Sequence, residues 1–185
     1  MYCAKAVANF FLIEANRQGE KLSPIKLQKL VYYAHGWFSG RSGQPLIDET
    51  IQAWQYGPII VSLYDQFEQF GSASIVGKAS SFDAENIEIE VRVPQDPPLQ
   101  QYLRNVWVSY GKFTATRLSE MTHAPGGPWD QTRRLNPGIQ RVNIPFEVIR
   151  LHFEAAIQNS AKRVAEKEKF DSHRSIQRDR CTLSA

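Results

Sequence analysis

The sequence predicts a mainly α-helical α+β fold: a compact single helical domain with a small β hairpin or sheet. Apolar residues recur at helical spacing along most of the chain, and only two short stretches have a strand-like pattern. A hydrophobic fraction of 42% in 185 residues can bury one core, and this length fits about one domain of roughly 150 residues. We therefore place the helical domain at residues 1–160 and a charged, mobile C-terminal tail at residues 161–185.

Two helices are predicted at the N-terminus. The first carries one apolar stripe and ends at Gly19. Ser23 followed by Pro24 predicts the start of the second helix, because the hydroxyl caps free amides and proline fits the first helical position. Gly36 and Gly40 are expected to weaken the end of this helix. Its apolar stripe consists of Leu27, Leu30, Val31, Ala34 and Phe38.

The middle of the chain predicts short strands and one helix. The segment Gly43–Pro58 has two apolar stretches around residues 48–50, so we expect a hairpin that turns at these three residues. A third helix follows this segment and stops at Gly71. After a loop over residues 72–81, strict alternation of apolar and polar residues over Ile87–Val93 predicts a half-buried edge strand.

Three more helices are predicted in the second half of the domain. A fourth helix carries the apolar residues from Leu99 to Tyr110, and a short fifth helix runs from Thr114 to about Met121. Two prolines and two glycines predict an ordered loop over residues 123–129. A long helix then begins at Pro145. Its apolar stripe is expected to comprise Phe146, Ile149, Phe153, Ile157 and Val164.

Charge and composition argue against several classes of function. The net charge is +3, but residues 1–160 hold 15 basic and 15 acidic residues, so the whole excess lies in the tail. No nucleic-acid partner is expected, because phosphate binding needs clustered, uncompensated bases. No apolar run approaches the roughly 20 residues that cross a bilayer, so we expect no membrane association and a cytoplasmic location. Cys3 and Cys181 form neither a disulfide framework nor a metal-binding motif.

The titratable residues show no catalytic or cofactor-binding pattern. The histidines have neither HxxxH nor HExxH spacing, and no GxSxG elbow places a serine nucleophile. We therefore predict no enzyme activity, no metal and no cofactor. One alternative stays open, a small metal-dependent hydrolase that uses His35 or His123 together with carboxylates from distant segments.

Aromatic residues beside prolines are the strongest candidate binding features. Core packing is the first interpretation of either tryptophan in these segments, because tryptophan is largely buried on average. The alternative is an interface, since tryptophan and tyrosine contribute much of the binding energy where proteins meet and proline-stiffened loops lose little entropy on docking. Arg133 is expected to rim such a patch. The candidate partner-binding residues are Trp54, Tyr56, Gly57, Pro58, His123, Pro128, Trp129 and Asp130.

Two longer blocks of sequence resemble a known family. The first runs from Leu22 to Trp37, with KLQKLVYYA at residues 26–34, and continues through Gln44–Leu46 to AWQYGP at residues 53–58. The second runs from Leu118 to Trp129 and ends with THAPGGPW. Together they resemble the Panacea domain family, which includes SocA-type antitoxins and phage-associated GepA proteins. The resemblance spans residues 2–157 and implies a mostly helical domain with a small sheet and without enzymatic activity.

The same resemblance implies a function. The chain is expected to be an antitoxin-like protein-binding module that neutralises a protein toxin encoded nearby, by direct contact, in a toxin–antitoxin or phage-associated defence system. A second hypothesis is an adaptor that presents its partner to a cytosolic protease, with the charged tail at residues 161–185 as a tether. No catalytic residue is implied by the resemblance.

Overall fold

A computed structural model describes residues 1–182 of the chain, and their side chains as far as Lys167. The fold is mainly helical with two small antiparallel sheets, which confirms the predicted class. The helices of the described residues are α1 (Ala4–Arg17), α2 (Pro24–Ser42), α3 (Val61–Phe67), α4 (Pro97–Tyr110), α5 (Ala115–Thr122), α6 (Pro128–Leu135) and α7 (Phe146–Thr182). The strands are β1 (Ile51–Trp54), β2 (Gly57–Ile60), β3 (Ser80–Phe82), β4 (Glu88–Glu90) and β5 (Val142–Ile144). A single 3-10 turn, Glu68–Phe70, extends α3 to Gly71.

Helix α2 forms the centre of the core, and the other long helices pack around it. It begins as predicted, since the Ser23 hydroxyl accepts a hydrogen bond from the Lys26 amide and Pro24 occupies the first turn. Every residue of α2 from Leu27 to Gly36 is buried. Two tyrosine hydroxyls of α4 connect this helix to α2. Tyr102 donates to the Ala34 carbonyl at 2.7 Å, and Tyr110 accepts from the Trp37 indole N–H at 2.6 Å.

Helix α7 crosses α2 at two glycines. A Cβ atom on Gly40 would lie 2.6 Å from the backbone nitrogen of Glu154, and one on Gly36 would overlap the Phe153 ring. Although these glycines are expected to weaken the end of α2, the helix continues to Ser42, and the missing side chains let α7 approach.

The predicted hairpin exists, but its turn lies elsewhere. Strands β1 and β2 pair from Ile51 with Ile60 to Trp54 with Gly57, so the chain turns at Gln55 and Tyr56 and not at residues 48–50. The first apolar stretch is buried instead at Leu46 and Ile47, where the backbone bonds to Tyr2 near the chain start. Strand β5, which the sequence pattern did not predict, pairs with the other side of β1.

The predicted strand over Ile87–Val93 is shorter and more exposed than expected. Only Glu88–Glu90 form β4, and they pair with β3 in a separate two-stranded sheet whose second strand is exposed at every position. The expectation of half-burial is wrong, since Ile87 is 55% exposed and Ile89, at the wall of an open cleft with Lys5 and Ser62, is 46% exposed.

Two further differences concern the C-terminal third of the domain. The predicted loop over residues 123–129 ends at Gly127, because Pro128 starts the short helix α6. The long helix α7 is confirmed, but Val164 is 57% exposed and does not belong to its apolar stripe, since every residue from 158 to 167 is exposed. The predicted tail thus begins inside α7, and its last three residues, 183–185, lie outside the described part of the chain. No helix among residues 1–182 is both long and apolar enough to cross a membrane.

Candidate functional site

The two blocks that carry the family resemblance meet at the β1–β2 turn. The turn is held from one side by α2 and α5 and from the other by α6. We call this region the hairpin site and define it by the β1–β2 turn with its flanking residues, by His123 at the end of α5 and by the start of α6. It contains all the predicted partner-binding residues: Trp54, Tyr56, Gly57, Pro58, His123, Pro128, Trp129 and Asp130.

Lys29 of α2 lies under the hairpin site and is fully buried. Its Nζ donates a hydrogen bond of 2.9 Å to the Pro58 carbonyl. A Cβ atom on Gly57 would lie 2.7 Å from the same Nζ and 2.6 Å from the Thr122 hydroxyl, so only glycine fits between α2 and α5. Gly57 also has a φ of 102°, which favours glycine. Burial lowers the pKa of Lys29 from 10.5 to about 7, because the charged amine loses its hydration.

Gln28 closes the free edge of the hairpin. Its side-chain amide accepts from the Ile60 N–H at 2.9 Å and donates to the Ile60 carbonyl at 3.0 Å. Pro58 has no N–H, and its carbonyl is bound by Lys29. Adjacent side chains of α2 therefore satisfy the backbone groups along the outer edge of β2, and this edge is closed to another strand.

Helix α5 fixes the tip of the turn. The Ser119 hydroxyl donates to the Tyr56 carbonyl at 2.8 Å, and the Thr122 hydroxyl donates to the Ser119 carbonyl at 2.6 Å. The tip backbone is thereby held while the Tyr56 side chain stays 61% exposed.

His123 and Trp129 connect the loop after α5 to the hairpin. Their ring centres lie 4.1 Å apart, and the Trp129 indole N–H donates to the Trp54 carbonyl at 2.7 Å. Burial, with a smaller effect of Lys29, lowers the pKa of His123. Its Nε2 is buried and has no hydrogen-bond partner among residues 1–182.

Asp130 shapes the start of α6. One carboxylate oxygen accepts from the Gly126 amide at 2.8 Å, and the other accepts from Arg134 at 2.9 Å. The hydrogen bond from Gly126 is the main reason that the pKa of Asp130 is lowered. Asp130 thus closes the Gly126–Gly127 turn. Three other predicted partner-binding residues, Gly57, Pro58 and Pro128, are buried beneath the surface of the hairpin site.

An open cleft of about 550 Å³ lies beside the hairpin site. Trp54 forms its wall: the ring lies 4.8 Å from that of Tyr64, and the Arg141 guanidinium lies 4.5 Å from the indole centre. Arg141 has a φ of 58°, a left-handed conformation that is unfavourable for a side chain of this kind. The cleft is lined by Pro24, Ile25, Gln28, Trp54, Gln55, Tyr56, Ile59, Tyr64, Glu68, Gly71, Arg133, Gln140 and Arg141.

Sequence reasoning missed several residues of this region. The burial of Gln28 and Lys29 could have been suspected from the sequence, since both stand between Leu27 and Leu30 of α2. This part of the helix is buried on all sides. Tyr64 and Arg141 carried none, because their contacts with Trp54 join segments that are far apart in the chain.

The histidines proposed for metal chemistry lie apart. His35 is buried in α2, where its Nδ1 accepts from the Ile47 amide at 3.4 Å, and burial lowers its pKa from 6.5 to about 4. His123 is at the hairpin site. Over residues 1–182, no three histidine, cysteine or acidic side chains converge in a way that could hold a metal ion.

The fold and the site define a small helical domain that presents a braced turn beside an aromatic, arginine-lined cleft. The chain belongs to the family described as Antitoxin SocA-like, Panacea domain, whose pattern matches residues 27–130. Antitoxin SocA from Caulobacter vibrioides is 35% identical over 128 residues, which cover 69% of this chain and 68% of that protein. No solved structure matches this chain at a significant level. The match begins at α2 and ends at the start of α6, so it spans the whole hairpin site.

Proposed function

We propose that this chain is a cytoplasmic antitoxin that neutralises a protein toxin encoded nearby, by direct contact and without catalysis. Membership of the antitoxin family carries the proposal. The surface we assign to the toxin is the exposed part of the hairpin site together with the adjoining cleft. Tryptophan, tyrosine and arginine dominate the binding energy of protein interfaces, and Trp54, Tyr56 and Arg141 meet here.

The braced backbone supports this choice of surface. The carbonyls of Trp54, Tyr56 and Pro58 each accept a side-chain hydrogen bond from a different helix. A turn held in this way loses little conformational entropy when a partner docks. The left-handed backbone of Arg141 supports the choice too, because residues in such unfavourable conformations cluster at functional sites.

Coexpression tests the proposal. The product of the neighbouring open reading frame should be toxic alone, harmless with this chain, and copurified with it. Tyr56→Ala and Arg141→Ala should each weaken the complex about thirtyfold, the effect of losing an interface residue worth roughly 2 kcal/mol. Val108→Ala and Arg17→Ala remove exposed side chains elsewhere and should leave the affinity unchanged.

Two results would contradict the proposal. A neighbouring product that is harmless alone, or one that stays toxic and does not copurify, would exclude the antitoxin function. Loss of affinity in the Val108 and Arg17 controls but not in the Tyr56 and Arg141 variants would place the contact surface elsewhere.

The exposed end of α7 favours a second candidate function. Residues 158–167 are exposed on every side of the helix, so this segment is free to reach another protein. As an adaptor, the chain would hold the toxin at the hairpin site and present it to a cytosolic protease through the charged tail. Deletion of residues after 169 should then lengthen the half-life of the toxin in cells without weakening the complex. An unchanged half-life would exclude the adaptor.

A further inference from the structure

The two-stranded sheet of β3 and β4 has one covered edge and one open edge. The Ser80 carbonyl on the outer side of β3 accepts from the Lys5 ammonium of α1 at 2.8 Å. The β4 side faces away from this contact, and Glu88, Ile89 and Glu90 are all exposed. Unlike β2, whose edge is closed by Gln28 and Lys29, β4 keeps an edge that can still accept a strand.

The register shows which backbone groups face this open edge. The Asp83 amide donates to the Ile87 carbonyl, and the Val91 amide donates to the Ala79 carbonyl. Hydrogen-bonded pairs alternate along an antiparallel ladder, so Ile89 also points its N–H and C=O toward β3. The N–H and C=O groups of Glu88 and Glu90 therefore point outward, and none has a partner among residues 1–182.

The side chains of β4 divide into an apolar and an acidic face. Ile87 and Ile89 share one face and are 55% and 46% exposed, although their alternation with Glu88 and Glu90 is the pattern of a strand with one buried face. Two exposed isoleucines beside an open strand edge favour association with a further strand.

The charge of the β3–β4 segment favours one kind of strand at the open edge of β4. Residues 78–90 contain one lysine, which pairs with Glu90 at 2.7 Å, and four acidic residues, of which Glu88 accepts from the Ser80 hydroxyl, so a net negative charge remains on this sheet. A second copy of this chain pairing through β4 would set glutamates opposite glutamates, and like charges in that arrangement are destabilising. A basic strand would set its cations opposite Glu88 and Glu90 and its apolar residues beside Ile87 and Ile89.

We propose that the open edge of β4 binds an extended protein segment in which lysine or arginine alternates with β-branched apolar residues. The segment adds a third strand to the sheet, with backbone hydrogen bonds to Glu88 and Glu90. This surface is separate from the hairpin site, and the proposal does not depend on the antitoxin function.

Nuclear magnetic resonance of the full chain with synthetic peptides tests this proposal. The probes are a short blocked peptide that alternates lysine and valine, and the same peptide with glutamate in place of lysine. The basic peptide should slow the hydrogen exchange of the Glu88 and Glu90 amides and bind roughly tenfold more tightly than the acidic one. The whole chain has a net charge of +3, so nonspecific attraction would favour the acidic peptide.

Variants separate backbone pairing from charge. Glu88→Pro removes one outward N–H from an exposed edge position and should abolish binding of the basic peptide, whereas Glu88→Gln keeps that N–H and should weaken it only a few-fold. The double variant Glu88→Lys, Glu90→Lys should reverse the preference between the two peptides. Unchanged thermal unfolding of each variant shows that the domain stays folded. Unprotected Glu88 and Glu90 amides, equal affinities for the two peptides, or no reversal in the double variant would overturn the proposal.

Discussion

A buried lysine, Lys29, lies directly beneath the surface that we assign to the toxin. Lys29 has no acidic partner within salt-bridge distance among the described residues, and among them its side chain donates a hydrogen bond to the Pro58 carbonyl alone. Burying a charged amine without a counterion is costly, so the amine loses its proton easily in the folded state. Lys29 therefore links the packing under the turn to the pH of the solution.

Lys29 predicts a pH-dependent stability. The pKa is about 7 in the folded chain and 10.5 when unfolded, so the unfolded state binds more protons between these values and stability rises with pH across that window. The free energy of unfolding should increase by roughly 2 kcal/mol between about pH 7 and about pH 9, as measured by urea unfolding. Above about pH 10 the raised pKa values of Tyr33 and Tyr102 reverse the trend.

Two lysine variants check whether Lys29 causes this rise in stability with pH. Lys29→Met should flatten the rise in stability, because it removes the group that titrates. Lys21→Met, at an exposed position, should keep it. A flat profile in the natural chain, or an equal slope in the Lys29 variant, would show that Lys29 keeps its proton throughout.

Gly57→Ala should destabilise the domain by about 2–3 kcal/mol in urea unfolding. Its Cβ would lie under 3 Å from both Lys29 Nζ and the Thr122 hydroxyl, at a φ of 102°. Gly43→Ala is the matched control, because Gly43 has a φ of 73° and no atom near the added methyl, and it should cost only about 1 kcal/mol. Equal losses in the two variants would mean that backbone conformation alone, and not crowding, selects glycine at position 57.

At the scale of elements, the contact between α2 and α7 fixes the core. Helix propensity alone predicts that Gly40→Ala stabilises α2 by about 1 kcal/mol. The structure predicts the opposite sign, a loss of about 2–3 kcal/mol, because the methyl would lie 2.6 Å from the α7 backbone at Glu154. Thermal or urea unfolding decides between these two predictions. Ser109→Ala, on the exposed side of α4, is the control and should change the free energy of unfolding by less than about 0.5 kcal/mol. A stabilised Gly40→Ala would refute the close approach of the two helices.

Local signals in the sequence accounted for most helices and few strands. Helix ends can be predicted from sequence because the atoms that cap or stop a helix belong to residues next to it in the chain. Examples are the start at Ser23–Pro24, the stop at Gly71 and the cap at Thr114. The hairpin turn was misplaced and β5 was missed because strands depend on partners distant in the chain. Helix α6 was not predicted, because the prolines and glycines before it indicate a loop, although proline at position 128 is itself typical of a helix start.

At the scale of the whole molecule, the domain and the end of α7 should behave as separate parts. A chain that ends at residue 160 should unfold with the same free energy as the full chain, within about 0.5 kcal/mol, because residues 158–167 are all exposed. Urea unfolding of both chains measures this. A loss above about 1 kcal/mol would place part of the tail in the domain and contradict the predicted boundary.

The sequence by itself determined the fold class, the family resemblance and the two blocks of residues around which the site is built. It did so because helical periodicity, capping residues and contiguous motifs are properties of neighbouring residues. Tertiary structure alone decided that Lys29 lies beneath Pro58, that Arg141 stacks on Trp54 and that β4 keeps an open edge. These features arise from contacts between distant segments, and the burial, charge and strand pairing they produce exist only once the chain is folded.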